Sequence, residues 1–125
     1  MSTKYFSVVE ANQTIHKIEP LVAALVERRA KISRLSSEMG PLLMDYRNNV
    51  GGTVPSEMTQ DFETIERLLG QIQTYGCVVK DINTGLLDFL SLRNGREVYL
   101  CWRYGESKIE FYHELHTGFN GRRPL

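Results

Sequence analysis

Between residues 7 and 76 the apolar side chains recur at three- and four-residue steps, the spacing of one helix face. Beyond Gly76 they alternate every second residue, as on a strand. The chain is therefore expected to be α+β: a long antiparallel helical hairpin of coiled-coil-like pattern, then a small antiparallel β-meander. Ser7-Val8-Val9-Glu10 has the spacing of a capping box, in which hydroxyl and carboxylate each satisfy the other residue's amide. Ile15, Ile18, Val22, Leu25, Ile32 and Met39 follow as a seam, with Arg29 and Ser36 in its gaps and Leu21, Val26 and Leu35 widening it. Pro20 interrupts this pattern, so a kink or a restart is expected there, with a short helix to about Lys17 and a longer one from Pro20. Leu42, Leu43 and Tyr46 carry the stripe past Gly40-Pro41 to about residue 47, and Asn48 to Thr53 has turn composition. A second helix is expected from near Pro55, burying Met58, Phe62, Ile65, Leu69, Ile72 and Tyr75, with Gly76 as its left-handed cap.

In the alternating half, strands are expected at Cys77–Ile82, Leu86–Phe89, Glu97–Trp102 and Lys108–Glu114. They are joined by the Asn83-Thr84-Gly85 turn, the Asn94-Gly95 hairpin signal and the Arg103–Ser107 turn, giving a meander of three or four strands with one face on the helices. Alternation puts Val98, Leu100 and Trp102 on one face, and Tyr99, Cys101 and Arg103 on the other. Ile109, Phe111 and His113 share a side opposite Glu110, Tyr112 and Glu114. The tail from Thr117 to Leu125 holds too much Gly and Pro for a regular element. The chain is thus expected to be one domain in three parts: helices over 7–76, sheet over 77–116, and a docked tail over 117–125.

Composition narrows the functions. In 125 residues, 15 Lys and Arg balance 15 Asp and Glu. No basic excess marks a nucleic-acid partner. No apolar run reaches the ~18–20 residues of a membrane span, and the N-terminal stretch lacks a secretory signal, so a cytoplasmic address is expected. Cys77 and Cys101 have neither CxxC nor metal-finger spacing and read as free thiols. Two wide helical stripes exceed what one helix pair covers, so self-association through the helices, as a dimer, is expected beside packing on the sheet.

The chemistry-bearing residues gather in the second half. His113 and His116 are three apart, which on a strand sends them to opposite faces, so a packed and a solvent histidine are expected rather than two ligands. Asp81 and Asp88 flank one turn and would approach each other in a hairpin, as carboxylate pairs do; turn hydrogen bonding by Asp81 is the plainer account. Cys101 lies mid-strand with no helix N-terminus to stabilise a thiolate. Arg122-Arg123 offers a grip for an anion. No phosphate loop or nucleophile elbow occurs.

The runs "VVKDINTGLLDF", "GREVYLCWRYGE", "YHELHTGF" and "GRRPL", with "YFSVVEAN" ahead of them, resemble a family of small prokaryotic, notably cyanobacterial, proteins known as a domain of unknown function. Leu90 stands where that family often has Pro, and Tyr112 where it often has Trp. The resemblance implies no activity, substrate or cofactor. It does place the polar motif positions in the sheet half, so ligand-binding candidates are Asp81, Asp88, Trp102, Glu106, His113 and Arg122. No cofactor is expected and no catalytic residue is assigned. The leading expectation is a non-catalytic, self-associating interaction or regulatory module with room for a protein partner. The alternative is a metal-binding or hydrolase-like protein using Asp81, Asp88, Glu106 and His113.

Overall fold

A computed structural model describes residues 3–38 and 56–125. Two helices precede a five-stranded antiparallel sheet: α1 (Val8–Glu38), α2 (Ser56–Gln73), β1 (Val78–Asp81), β2 (Leu86–Arg93), β3 (Arg96–Arg103), β4 (Phe111–Glu114) and β5 (Arg123–Pro124), with a 3-10 turn at Phe119–Gly121. The strands lie in the order β1-β2-β3-β4-β5, each paired with its sequence neighbour. Met39, the apolar stripe from Leu42 to Tyr46 and the turn at 48–53 lie outside the described residues. Among the described residues, no helix is long and apolar enough to cross a membrane.

The capping box forms. The Ser7 amide donates to Glu10 Oε1 and the Glu10 amide to Ser7 Oγ, both at 3.1 Å. The expected break at Pro20 does not occur: α1 runs through it for 31 residues. Proline forfeits only the bond to the His16 carbonyl, and both residues lie on the exposed side, where water satisfies that oxygen. Ile15, Ile18, Val22, Leu25 and Ile32 are buried as their spacing requires.

The buried face of α2 is rotated from the expected one. It consists of Met58, Asp61, Ile65, Leu68 and Ile72, while Phe62 is 49% and Tyr75 38% exposed and Leu69 is half-buried. Asp61, 1% exposed, occupies a seam position. Its Oδ1 accepts from Arg28 Nη1 at 2.7 Å and Lys31 Nζ at 3.2 Å on α1. At the other end of α2, Gly76 adopts φ +96° and lies against Phe6, just ahead of α1.

The sheet lays Leu87, Phe89, Val98, Leu100 and Trp102 into the cluster that holds the helices' buried residues. Phe6 meets Phe89 edge-on at 5.1 Å. Beyond shifts of one residue at the ends of β1 and β3, the strands depart from expectation in β2, β4 and the tail. β2 continues to Arg93, because the Asn94-Gly95 turn (φ 53° and 77°) zips all eight of its residues to β3. β4 begins at Phe111; Ile109, short of it, is buried with its amide on Asn12 Oδ1 of α1 at 2.8 Å. The tail is more regular than its Gly and Pro suggested, for Arg123 and Pro124 add an edge strand to β4. Pro124 sits on the outermost strand, where a missing amide does not interrupt the sheet.

Candidate functional site

The six candidates separate into three groups. Asp81 stays in its own turn: Oδ1 accepts from the Asn83 amide at 2.9 Å and Oδ2 from the Thr84 hydroxyl at 3.0 Å. It lines a cavity of about 160 Å³ with Thr84, Leu86, Arg103 and Phe119, and with none of the other candidates. The turn hydrogen bonding expected of Asp81 is what forms, and the alternative, a carboxylate pair with Asp88, does not. A register shift between Val79 and Asp81 pairs Asp81 with Leu86, and the Asn83 amide and Thr84 hydroxyl take up its carboxylate.

Trp102, Glu106 and Arg122 form the second group. Trp102 is fully buried on the helix-facing side, and its indole Nε1 donates to the Glu106 carbonyl at 3.0 Å. The Glu106 carboxylate accepts from the Arg103 amide and from Arg122 Nη2, each at 2.6 Å. Arg122 also donates to the Cys101 carbonyl at 3.3 Å and lies over the Phe111 and Phe119 rings. Burial is the largest influence and works against its charge, but the bond to Glu106, the contact with Cys101 and the Glu106 charge together outweigh it and hold the guanidinium pKa above its usual value. This group fastens the tail to the sheet.

The third group is the one in which chemistry converges. Asp88 on β2, Cys101 on β3 and His113 on β4 share the face turned away from the helices, because Asp88 pairs with Cys101 and His113 with Tyr99 in the strand register. One donor atom from each lies within 4.8 Å of the others. All three are buried: Asp88 is 2%, Cys101 0% and His113 3% exposed. His113 Nε2 lies 3.0 Å from Asp88 Oδ1, and its Nδ1 lies 2.7 Å from the Glu114 carbonyl. A carbonyl only accepts, so Nδ1 carries a proton. A bond to Asp88 then needs a second proton, carried by Nε2 or by the carboxylate.

Of the four residues proposed as metal ligands from sequence, Asp88 and His113 meet, while Asp81 and Glu106 are engaged elsewhere. His116 is exposed, as its spacing from His113 implied. Cys101 was passed over as a ligand, although a signal for it exists. A two-residue loop at Asn94-Gly95 pairs 93 with 96, and counting outward pairs 88 with 101.

Cys, His and Asp together invite comparison with a cysteine-nucleophile triad. The connectivity differs: a triad imidazole spends one nitrogen on the acid and the other on the thiol. Here one nitrogen faces Asp88 and the other the backbone. Burial, reinforced by the charge of Asp88, pushes the Cys101 thiol up to about 11, the opposite of what a nucleophile needs. The arrangement suits a soft or borderline cation, with sulfur, nitrogen and oxygen converging on one point.

The sheet motifs sit where the family resemblance placed them, and a family model decides the matter by matching residues 4–125. The chain belongs to the DUF2203 family. That family is described as an uncharacterised conserved protein, so membership brings no activity with it. Curated proteins yield no match, and neither do solved structures.

Proposed function

We propose that this DUF2203 protein is a non-catalytic metal-binding module in which Asp88, Cys101 and His113 hold a thiophilic divalent cation such as zinc. The observation that carries the reading is the convergence of three buried donors within 4.8 Å. The His113 ring is already oriented: its Nδ1 is held by the Glu114 carbonyl, as ligating histidines are held by a backbone oxygen, leaving Nε2 for the metal. A carboxylate and a thiolate would supply two negative charges to offset the dication, while Arg122 nearby is balanced by Glu106. The burial of all three donors, at exposures of 3% or less, favours a centre that ties three strands together over a hydrolytic one. Cobalt substitution tests the reading. Bound Co(II) should show thiolate-to-metal charge-transfer absorption that disappears in Cys101→Ser. A spectrum unchanged from aqueous cobalt would sink it.

The two free, buried thiols support a reducing, cytoplasmic address. The contacts of Asp61 with Arg28 and Lys31, and of Gly76 with Phe6, support reading the helices as an antiparallel hairpin. Self-association through the helices is a second reading, favoured by Phe62, which stays half-exposed on the same flank of α2 as Leu69. Light scattering on Phe62→Asp tests it: a dimer that becomes a folded monomer is expected, and a wild-type monomer contradicts it.

A further inference from the structure

At the far end of the sheet a different set of side chains faces the helix side. Arg93 and Arg96 are directly opposed across the tight Asn94-Gly95 turn, and their register puts both on the face that carries Ser91, Val98 and Tyr112. Like charges in direct cross-strand opposition repel, so this pairing works against the hairpin that the turn itself imposes. Arg123 joins them, paired in register with Tyr112 on the same face. Among the described residues, one ion pair answers the three guanidinium groups: Glu114 Oε1 lies 2.8 Å from Arg96 Nη2. Glu97 belongs to the opposite face, where burial, together with this carboxylate close by, raises the pKa of the Tyr5 phenol. Arg93 instead lies over the Tyr112 ring, 4.4 Å from its centre, and among the described residues neither it nor Arg123 has an ion pair.

Arg93, Asn94, Arg96 and Tyr112 line a cavity of about 360 Å³. Its guanidinium groups are held in place, Arg93 by stacking and Arg96 by Glu114, so little side-chain freedom is lost when an anion arrives.

We propose that this cavity binds the phosphoryl group of a small phosphorylated molecule, with Arg93 and Arg96 as its forked donors and Arg123 lining a neighbouring cavity that also contains Arg96. With two of the three guanidinium groups outside any ion pair among the described residues, the face suits an anion of more than one charge, and planar guanidinium groups match phosphate oxygens in pairs. An anion between Arg93 and Arg96 also removes the repulsion built into the hairpin. The site shares no residue with the Asp88–Cys101–His113 centre, so each proposal stands or falls alone.

Isothermal titration of the full chain with inorganic pyrophosphate, at fixed ionic strength, tests this. Saturable binding at one site per chain is expected in the wild type, weakened about tenfold or more in Arg93→Glu and in Arg96→Gln, each of which loses a charge-assisted donor. Arg93→Glu turns the like-charged pair into an opposite one, so its melting temperature should hold or rise, which separates lost binding from lost folding. Arg96→Gln supplies the comparison if that variant misfolds. Absence of saturable binding, or equal affinity in a folded Arg93→Glu protein, overturns the proposal. Equal affinity for malonate, a dicarboxylate, overturns the phosphoryl assignment.

Discussion

Removing the Asp88 carboxylate without replacing it should be among the costliest single changes in the sheet. In metal-stripped protein, Asp88→Ala leaves His113 Nε2 facing a void, because the ring is 3% exposed and no other acid is bonded to it. The charge-assisted bond is worth about 1.5–3 kcal/mol, and stranding its buried partner costs a further 1–3 kcal/mol or so. Together they come to roughly 2.5–6 kcal/mol, a range that brackets the 3–5 kcal/mol or so found when one half of a buried pair is removed. Asp88→Asn keeps the shape and still offers Nε2 either a carbonyl acceptor or an amide donor, so about 1 kcal/mol is expected. Urea unfolding in chelator separates the two. With a slope of roughly 1.5 kcal/mol per molar, the Ala variant's midpoint should fall by about 2 M and the Asn variant's by well under 1 M. An Ala variant within about 0.5 kcal/mol of wild type would refute the reasoning, since ordinary surface changes cost that little. So would an Asn variant as damaged as the Ala one.

Three further outcomes are expected. Gly85→Ala should destabilise by several kcal/mol, on the order of an overpacked core site in thermal unfolding, because a Cβ there would stand 2.7 Å from Tyr104 Cβ and 3.0 Å from both Val22 and Val26, at a φ of +73°. Hydrogen bonding to Arg28, opposed by burial and aided by Lys31, holds the Asp61 pKa below its unfolded value. Its contribution is therefore complete above the ordinary carboxylate range and is lost as pH falls through the lowered folded value. Asp61→Asn should be less stable at pH 7 and show a shallower acid limb below about pH 4 in unfolding measured against pH. Burial pushes the thiols of Cys77 and Cys101 from 9.0 up to about 11. At pH 8 this cuts the thiolate fraction about a hundredfold, so both should resist an aromatic disulfide reagent until the chain unfolds; rapid native labelling of either would contradict their burial.

Much of this fold can be read from local rules. The capping box at Ser7, the left-handed Gly76 and the Asn94-Gly95 turn each depend on a few neighbouring residues, and each forms as expected. The errors come from competition that spacing does not reveal. Asp61 is polar, so the seam it completes is hidden, and the apolar Phe62 and Leu69 beside it suggest a face rotated by one residue. Its burial becomes intelligible only with Arg28 and Lys31 of the other helix in place. Pro20 looks like a helix break until its surroundings are known to be wet. In the candidate site, the pairing of Asp88 with Cys101 follows from a two-residue loop. The arrival of His113 does not, because it depends on how many residues the chain spends between Arg103 and Phe111. Asp81 and Glu106 had plausible chemistry but nearer partners: two groups of its own turn for one, and Arg103 and Arg122 for the other.

Metal stoichiometry is the most direct test of the central claim. Tag-free protein equilibrated with zinc and then freed of unbound metal should carry one zinc per chain by elemental analysis. Asp88→Ala, Cys101→Ser and His113→Ala should each lose it, while Asp81→Asn and Glu106→Gln retain it. Folded wild-type protein that emerges without zinc, and whose melting temperature is the same with and without the metal, would contradict the account.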